Sequence, residues 1–321
     1  MKPGALLILL LVCLLPGCGN ETKPAKSWQL VPGGITAAAL GNDHALLASI
    51  DHGAEWWQLN PKKRLQHTFR HGGTQEQNLI AVAVTPDAHY ALTADRQGVA
   101  WWDGWQGRPL ASWALKGVQT VALSADGHWA LIGLEDRAVY FSLAGGKTRF
   151  AFPHQRTVKT VALDQRQRFA LTGGDDGEAK LWDLDSGRLV HRWKHRGKLA
   201  QVTLSPKGTY AMTNALLGPI RLWKTSTGKL LRELDPAFIT VTRAAFSARE
   251  SLLATGHPSQ GIKLWSVKKG RLLRQFMPDR SAWRPTARPV LGLRFIRKGR
   301  FLLSATSDGN VQMWRLRKKK P

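Results

Sequence analysis

An all-β fold of seven repeated four-stranded units is predicted by three observations. The first is spacing: Trp57, Trp102, Phe141, Trp182, Trp223, Trp265 and Trp314 end similar segments and stand 45, 39, 41, 41, 42 and 49 residues apart. A period of this length marks a repeat protein. The second is alternation. Runs such as Val161-Ala162-Leu163, Phe169-Ala170-Leu171-Thr172 and Leu189-Val190-His191-Arg192-Trp193 recur around each aromatic. Their apolar residues repeat at two, which suits half-buried antiparallel strands and not helices. The third is punctuation by Gly and Asp turns, which cuts every unit into four strands. A lone sheet of this kind leaves two apolar faces uncovered, so the units must stack on one another. Radial stacking makes a seven-bladed β-propeller of four-stranded antiparallel blades.

Taken in chain order, residues 1–17 form a separate object. Lys2 precedes an apolar run from Ala5 to Leu15, too short to span a bilayer and suited to a signal-peptide core. It ends at Leu15-Pro16-Gly17-Cys18, which resembles the bacterial lipobox, where a peptidase cuts before a diacylated cysteine. The resemblance implies lipidation at Cys18, and Gly19 after it, in place of Asp, implies the outer membrane over inner-membrane retention, with the periplasmic side favoured over the surface. An ordinary secretory signal with an incidental cysteine is the alternative. Residues 18–26 are then a tether. The propeller is expected over 27–317 and a basic tail over 318–321. Blade seven stops after Val311-Gln312-Met313-Trp314-Arg315-Leu316, one strand short, and Ser27-Trp28-Gln29-Leu30-Val31 is available to close it. Closure removes an open edge that would pair with other chains.

The segment 170–187, ALTGGDDGEAKLWDLDSG, resembles a WD-repeat blade, with weaker copies over roughly residues 35–317. The resemblance implies a structural tetrad of His, Ser or Thr, Asp and Trp, matched in blade four by His154, Thr172, Asp176 and Trp182. Ser49, Asp51 and Trp57 take these places in blade one. Thr286, Ser304, Asp308 and Trp314 take them in blade seven. His195, Thr213, Leu217 and Trp223 stand there in blade five, and Glu135 with Phe141 in the divergent blade three. It also implies that the a–b and c–d connections share one face and the b–c and d–a connections the other.

Charge is the second unusual quantity. Lys and Arg number 47 against 22 acids, a net of +25. In the cytosol this balance points first to nucleic acid. Export makes nucleic acid the lesser partner class and favours lipid head groups and lipopolysaccharide phosphates. Sorting the loops sharpens this. The c–d connections carry Lys62, Lys63, Arg64, Arg108, Lys147, Arg149, Arg188, Lys229, Lys268, Lys269 and Arg271. The a–b connections add Arg166, Arg168, Lys207, Arg249, Arg297, Lys298 and Arg300. Against these eighteen bases stand seven acids: Asp43, Asp87, Asp103, Asp126, Asp164, Asp185 and Glu250. The tail with Lys318, Lys319 and Lys320 leaves from the same face. Only eight residues separate Cys18 from Ser27, a reach of at most about 30 Å.

Two inserts are expected on the opposite face. One is His71 to Asn78; the other runs from Pro278 to Pro289 and carries Arg280, Trp283, Arg284 and Arg288. Trp flanked by Arg in a proline-stiffened loop has the composition of a partner-binding hot spot. Trp283 folding back over the junction of blades six and seven is the alternative. No catalytic constellation appears. His154 and His195 are read as structural, while His52 and His257 fall in b–c turns with no spaced metal partners. His44, His67, His71, His89, His128 and His191 form no ligand pattern, and Asp175-Asp176-Gly177 lacks calcium-loop spacing. With Cys13 lost and Cys18 acylated, no thiol remains for chemistry.

The expected function is therefore non-enzymatic and needs no cofactor or metal. It is a monomeric, lipid-anchored scaffold of the bacterial envelope, its basic face toward an anionic membrane and an unidentified envelope protein on the other. An accessory in outer-membrane assembly and a binder of polyanions are the alternatives.

Overall fold

The computed structural model describes residues 23–71, 78–235, 239–259, 261–278 and 288–316. Cys18 and the tail lysines lie outside them. Among the described residues the chain is almost wholly β, in seven sheets of four antiparallel strands each. A short strand, Lys26–Gln29 (β1), precedes the first blade. Blade one comprises Ala37–Leu40, His44–Ser49, Gly53–Gln58 and Arg64–Phe69 (β2–β5), and blade two Ala81–Val84, Tyr90–Ala94, Gly98–Asp103 and Arg108–Ala114 (β6–β9). Blade three comprises Thr120–Leu123, Trp129–Gly133, Arg137–Ser142 and Lys147–Pro153 (β10–β13), and blade four Val158–Leu163, Phe169–Gly174, Glu178–Asp183 and Leu189–Lys194 (β14–β17). Blade five comprises Leu199–Leu204, Tyr210–Ala215, Ile220–Lys224 and Leu230–Glu233 (β18–β21), and blade six Arg243–Phe246, Leu252–Gly256, Ile262–Ser266 and Leu272–Phe276 (β22–β25). Blade seven has Val290–Ile296, Phe301–Thr306 and Asn310–Arg315 (β26–β28), with a 3-10 turn at Arg297–Gly299 between the first two.

The fourth strand of blade seven is β1, antiparallel to β28 with Lys26 opposite Met313 and Gln29 opposite Asn310. The seam requires one particular glycine. Leu30 donates its amide to the Gly309 carbonyl at 3.0 Å, and Gly309 has φ 76°. A Cβ there would collide with the Val31 carbonyl oxygen, so only Gly lets the N-terminal strand approach.

The core lies between blades and not within them, because each sheet has two apolar faces. One stacking relation repeats. An aromatic on the outer strand of one blade meets the third-strand aromatic of the next: Phe69 on Trp102 at 4.7 Å between ring centroids, Phe152 on Trp182 at 4.8 Å, Trp193 on Trp223 at 4.9 Å. Trp113 meets Phe141 edge-on at 5.2 Å, and Phe276 meets Trp314 at a tilt at 5.3 Å. Blade five supplies Leu234 against Trp265 in one cluster. Trp28 of the closing strand flanks the same cluster as Trp57, which completes the ring. Such pairs contribute about 0.5–1.5 kcal/mol beyond the area they bury, and they explain the repeat: each periodic aromatic is the anvil for its neighbour.

Candidate functional site

Blade four shows the internal relay in full. The Trp182 indole N–H donates to Thr172 Oγ1 at 3.0 Å, the Thr172 hydroxyl lies 2.8 Å from His154 Nε2, and His154 Nδ1 lies 2.9 Å from Asp176 Oδ2. Asp176 also accepts the amides of Gln155 and Glu178 at 3.2 and 3.0 Å. Burial pushes the His154 pKa down against the pull of Asp176, so the ring is neutral, donating from Nδ1 and accepting at Nε2. Each side-chain polar group of this relay has a partner, and the relay ties the loop before strand a to strands b and c.

The other blades keep different parts of this relay. Blade two has all of it. His71 places Nε2 2.7 Å from Thr93 Oγ1 and Nδ1 2.9 Å from Asp95, and Trp102 donates to Thr93 at 2.8 Å. His71 was expected to open an insert on a free surface; it belongs instead to the interior of blade two. Blade six builds the relay from the other side. Trp265 donates to Thr255 at 2.9 Å, Thr255 meets His257 Nε2 at 2.9 Å, and His257 Nδ1 meets the Thr240 carbonyl at 3.1 Å. The b–c turn had left His257 without a role in the sequence reading, yet it is fully buried and takes the place of both His and Asp.

Blade five has Trp223 on Thr213 at 2.8 Å, but His195 leaves Nε2 buried without a partner and faces the Arg221 guanidinium at 3.5 Å. Burial and the Arg221 charge push its pKa down to about 4. In blade seven Trp314 donates to Ser304 at 2.8 Å, and Arg288 Nη1 stands 2.5 Å from Asp308 Oδ2. Arg288, expected as a partner contact, is thus held against the blade, its side chain 13% exposed. Arg280, Trp283, Arg284 and Thr286 lie outside the described residues.

Blade one departs from the expected assignment. Leu47, opposite Glu55, occupies the register that Thr172 takes opposite Lys180, so Ser49 is two residues too far along. Trp57 turns its N–H to Glu55 Oε2 at 2.8 Å, and Ser49 Oγ accepts the His52 amide at 3.1 Å. Blade three has Ile132 opposite Val139 in that register, beside Phe141, which has no N–H to satisfy. The hydroxyl residue stands nine or ten positions before the Trp wherever the bond forms. That spacing was present in the sequence and would have found Thr93 and Thr255.

The loop residues separate by sign in how they are used. Lys62, Lys63, Arg64, Lys147, Arg149, Lys268, Lys269 and Arg271 lie on or beside the c–d turns and are exposed, as are Lys298 and Arg300 in the a–b turn of blade seven. Arg149 rests on the rings of Trp129 and Phe150, 5.7 and 5.1 Å from their centroids. Most acids at the same end are consumed by the turns. Asp87 accepts from Thr85 and the His89 amide, Asp126 from Ser124 and the His128 amide, and Asp103 from the amides of Trp105 and Gln106. Buried Asp164 accepts the amides of Arg168 and Phe169, and Glu250 that of Lys207. Among the described residues no group of three or more His, Cys, Asp or Glu is placed to hold a metal ion.

The fold and its relays define the class, a closed seven-bladed β-propeller. Two stretches of it match WD repeats. The model of the WD domain, G-beta repeat family matches residues 146–183, which contain the Thr172–Trp182 bond, and 283–315, which contain Ser304 and Trp314. This fold is typical of protein–protein interaction scaffolds. No curated protein matches the chain significantly.

Proposed function

We propose that this propeller is a lipid-anchored scaffold of the bacterial envelope, its a–b and c–d end turned to an anionic membrane and its opposite end receiving a protein partner. The observation that carries the reading is the asymmetry of use at one end: the bases are solvent-exposed, whereas the acids beside them cap turns. Several features agree with it. Strand β1 begins beside Met313, at the end where β28 finishes, so a tether from Cys18 and the tail after Leu316 would both emerge there. The outer strands of three consecutive blades start with exposed apolar pairs, Leu189-Val190, Leu230-Leu231 and Leu272-Leu273, each directly after a base, Arg188, Lys229 or Arg271. A rim of this composition suits a membrane interface, where apolar side chains enter and cations stay at head-group level. Each base near an anionic surface contributes about 1 kcal/mol, decaying within a Debye length of roughly 8–10 Å.

Reversing charge at Lys62, Lys63, Lys147, Arg149, Lys268 and Lys269 tests the orientation. Capture of the variant on phosphatidylglycerol vesicles at low salt should fall steeply, and wild-type capture should fall with added salt. Equal capture of variant and wild type overturns the orientation. Metabolic labelling with an alkyne fatty acid, lost in Cys18→Ser, tests the anchor separately.

A further inference from the structure

At the a–b end the central channel opens into a cavity of about 680 Å³, whose polar lining includes Asn42, Asp43, Gln165, Arg294, Arg297 and Lys298. One position of strand a, the residue that pairs one step before the relay hydroxyl, supplies Thr203, Ala245 and Arg294 to this lining. Five blades carry alanine there, Ala39, Ala83, Ala122, Ala162 and Ala245, and blade five Thr203. Blade seven alone breaks the pattern, with Arg294 opposite Leu303.

Arg294 is poorly provided for by the protein. Its Nη2 reaches across the channel from blade seven to the Pro86 carbonyl of blade two, at 3.4 Å, and its buried Nε has no hydrogen-bond partner. Burial pushes its pKa down to about 10, with Asp87 opposing. Asp87 does not pair with it; Oδ1 is occupied by Thr85 and the His89 amide at 2.6 and 3.0 Å. Asp43, the one carboxylate in the lining, accepts from Asn60 at 3.2 Å. Leaving a buried donor unsatisfied is unfavourable, the more so on a charged group. The turn beside it is also unusual. Arg297 and Lys298 hold φ of 49° and 56°, left-handed backbone at two adjacent non-glycine cations, where blades two and five have Pro86-Asp87 and Pro206-Lys207. Left-handed backbone at non-glycine residues is unfavourable and gathers where a site shapes it.

We propose that this end of the channel binds a single phosphate-class oxyanion, with the Arg294 guanidinium as its floor and Lys298 and Arg297 at its rim. The planar guanidinium presents Nε and an Nη to two oxygens at once, the bidentate geometry phosphate accepts. The group could belong to a free phosphate solute or to a lipid head group, because the cavity opens on the end that carries the bases.

The test titrates full-length protein in neutral detergent with inorganic phosphate at constant ionic strength, read by calorimetry and by thermal unfolding. One saturable site should appear. Arg294→Met should weaken it about tenfold or more, Arg294→Lys by less, and Arg156→Gln, exposed in a d–a connection at the opposite end, by under about twofold. Phosphate should raise the wild-type unfolding temperature and leave that of Arg294→Met unmoved. Absence of saturable binding, undiminished binding in Arg294→Met, or an equal loss in Arg156→Gln overturns the site. Should Arg294→Met fail to fold, Arg294→Lys carries the comparison, and binding equal to wild type overturns the site there too. Displacement of phosphatidylglycerol vesicles by glycerol 3-phosphate from wild type, but not from Arg294→Lys, assigns the head group as the source; vesicle capture independent of Arg294 assigns a free solute. The titration itself uses no membrane, so it fails or succeeds apart from the membrane-facing reading.

Discussion

His257 Nε2 stands 2.9 Å from Thr255 Oγ1, two residues away on the same chain segment, and so the imidazole of blade six enters its relay from the b–c turn. In blades two and four the imidazole comes instead from the loop before strand a, 22 and 18 residues ahead of its hydroxyl. The ring position is equivalent in function because the requirement is local: a buried hydroxyl that has accepted an indole N–H must still place its own proton.

Breaking that hydroxyl should cost most where the relay is longest. Thr172→Val leaves the Trp182 N–H and His154 Nε2 without partners, so urea denaturation should show a loss of about 2–4 kcal/mol. Thr213→Val orphans only Trp223 and should lose about half as much. Equal losses would show that the His–Asp arm contributes nothing.

Stability should fall in acid through the buried histidines. His195 and His257 have pKa values pushed down to about 4 from 6.5, chiefly by burial, and His154 is shifted the same way. The unfolded chain therefore binds more protons than the folded one between about pH 6.5 and 4, and folding weakens as pH drops through that window. Unfolding temperatures should be level above pH 7 as far as these groups are concerned and decline below 6.5. His257→Asn should flatten part of the decline.

Arg288 should behave as a structural residue. Its ion pair with Asp308 at 2.5 Å is largely covered, so Arg288→Ala should lower stability by about 1–3 kcal/mol. Asp308→Ala, which also removes the acceptor of the Thr306 hydroxyl, should lose more, and the double variant should lose less than the sum. Additive losses would deny the pair.

The closing seam can be opened by one methyl group. Gly309→Ala should destabilise the fold by about 1–3 kcal/mol through its positive φ and the Val31 carbonyl. Hydrogen exchange should rise selectively at Leu30 and Val31, whose amides bond to Gly309. Uniform exchange across all blades would argue against a local seam.

The architecture was legible because periodic signals are local. Strand alternation, Gly turns and one aromatic per unit depend on neighbours in sequence, and the missing fourth strand of blade seven follows from counting. The relays were only partly legible. Thr172, Asp176 and Trp182 lie within one hairpin and can be read together, whereas His71 sits 22 residues before Thr93 across a segment that looked like an insert. Ser49 was misassigned because it pairs with Gly53 and stands eight residues before Trp57, past the register of the relay hydroxyl, which stands nine or ten before its Trp. Arg288 was taken for a surface hot spot because composition does not reveal that an acid waits opposite.

By itself the sequence determined the number of blades, the strand that closes the ring and the chemical character of each loop, since all three are properties of short segments repeated in order. Tertiary structure decided which polar groups find partners. It turned Asp87, Asp103, Asp126 and Asp164 inward to cap turns, seated His257 in blade six, and left Arg294 Nε in the channel with none. Partnership is a matter of distance between segments far apart in the chain, and those distances exist only once the ring has closed.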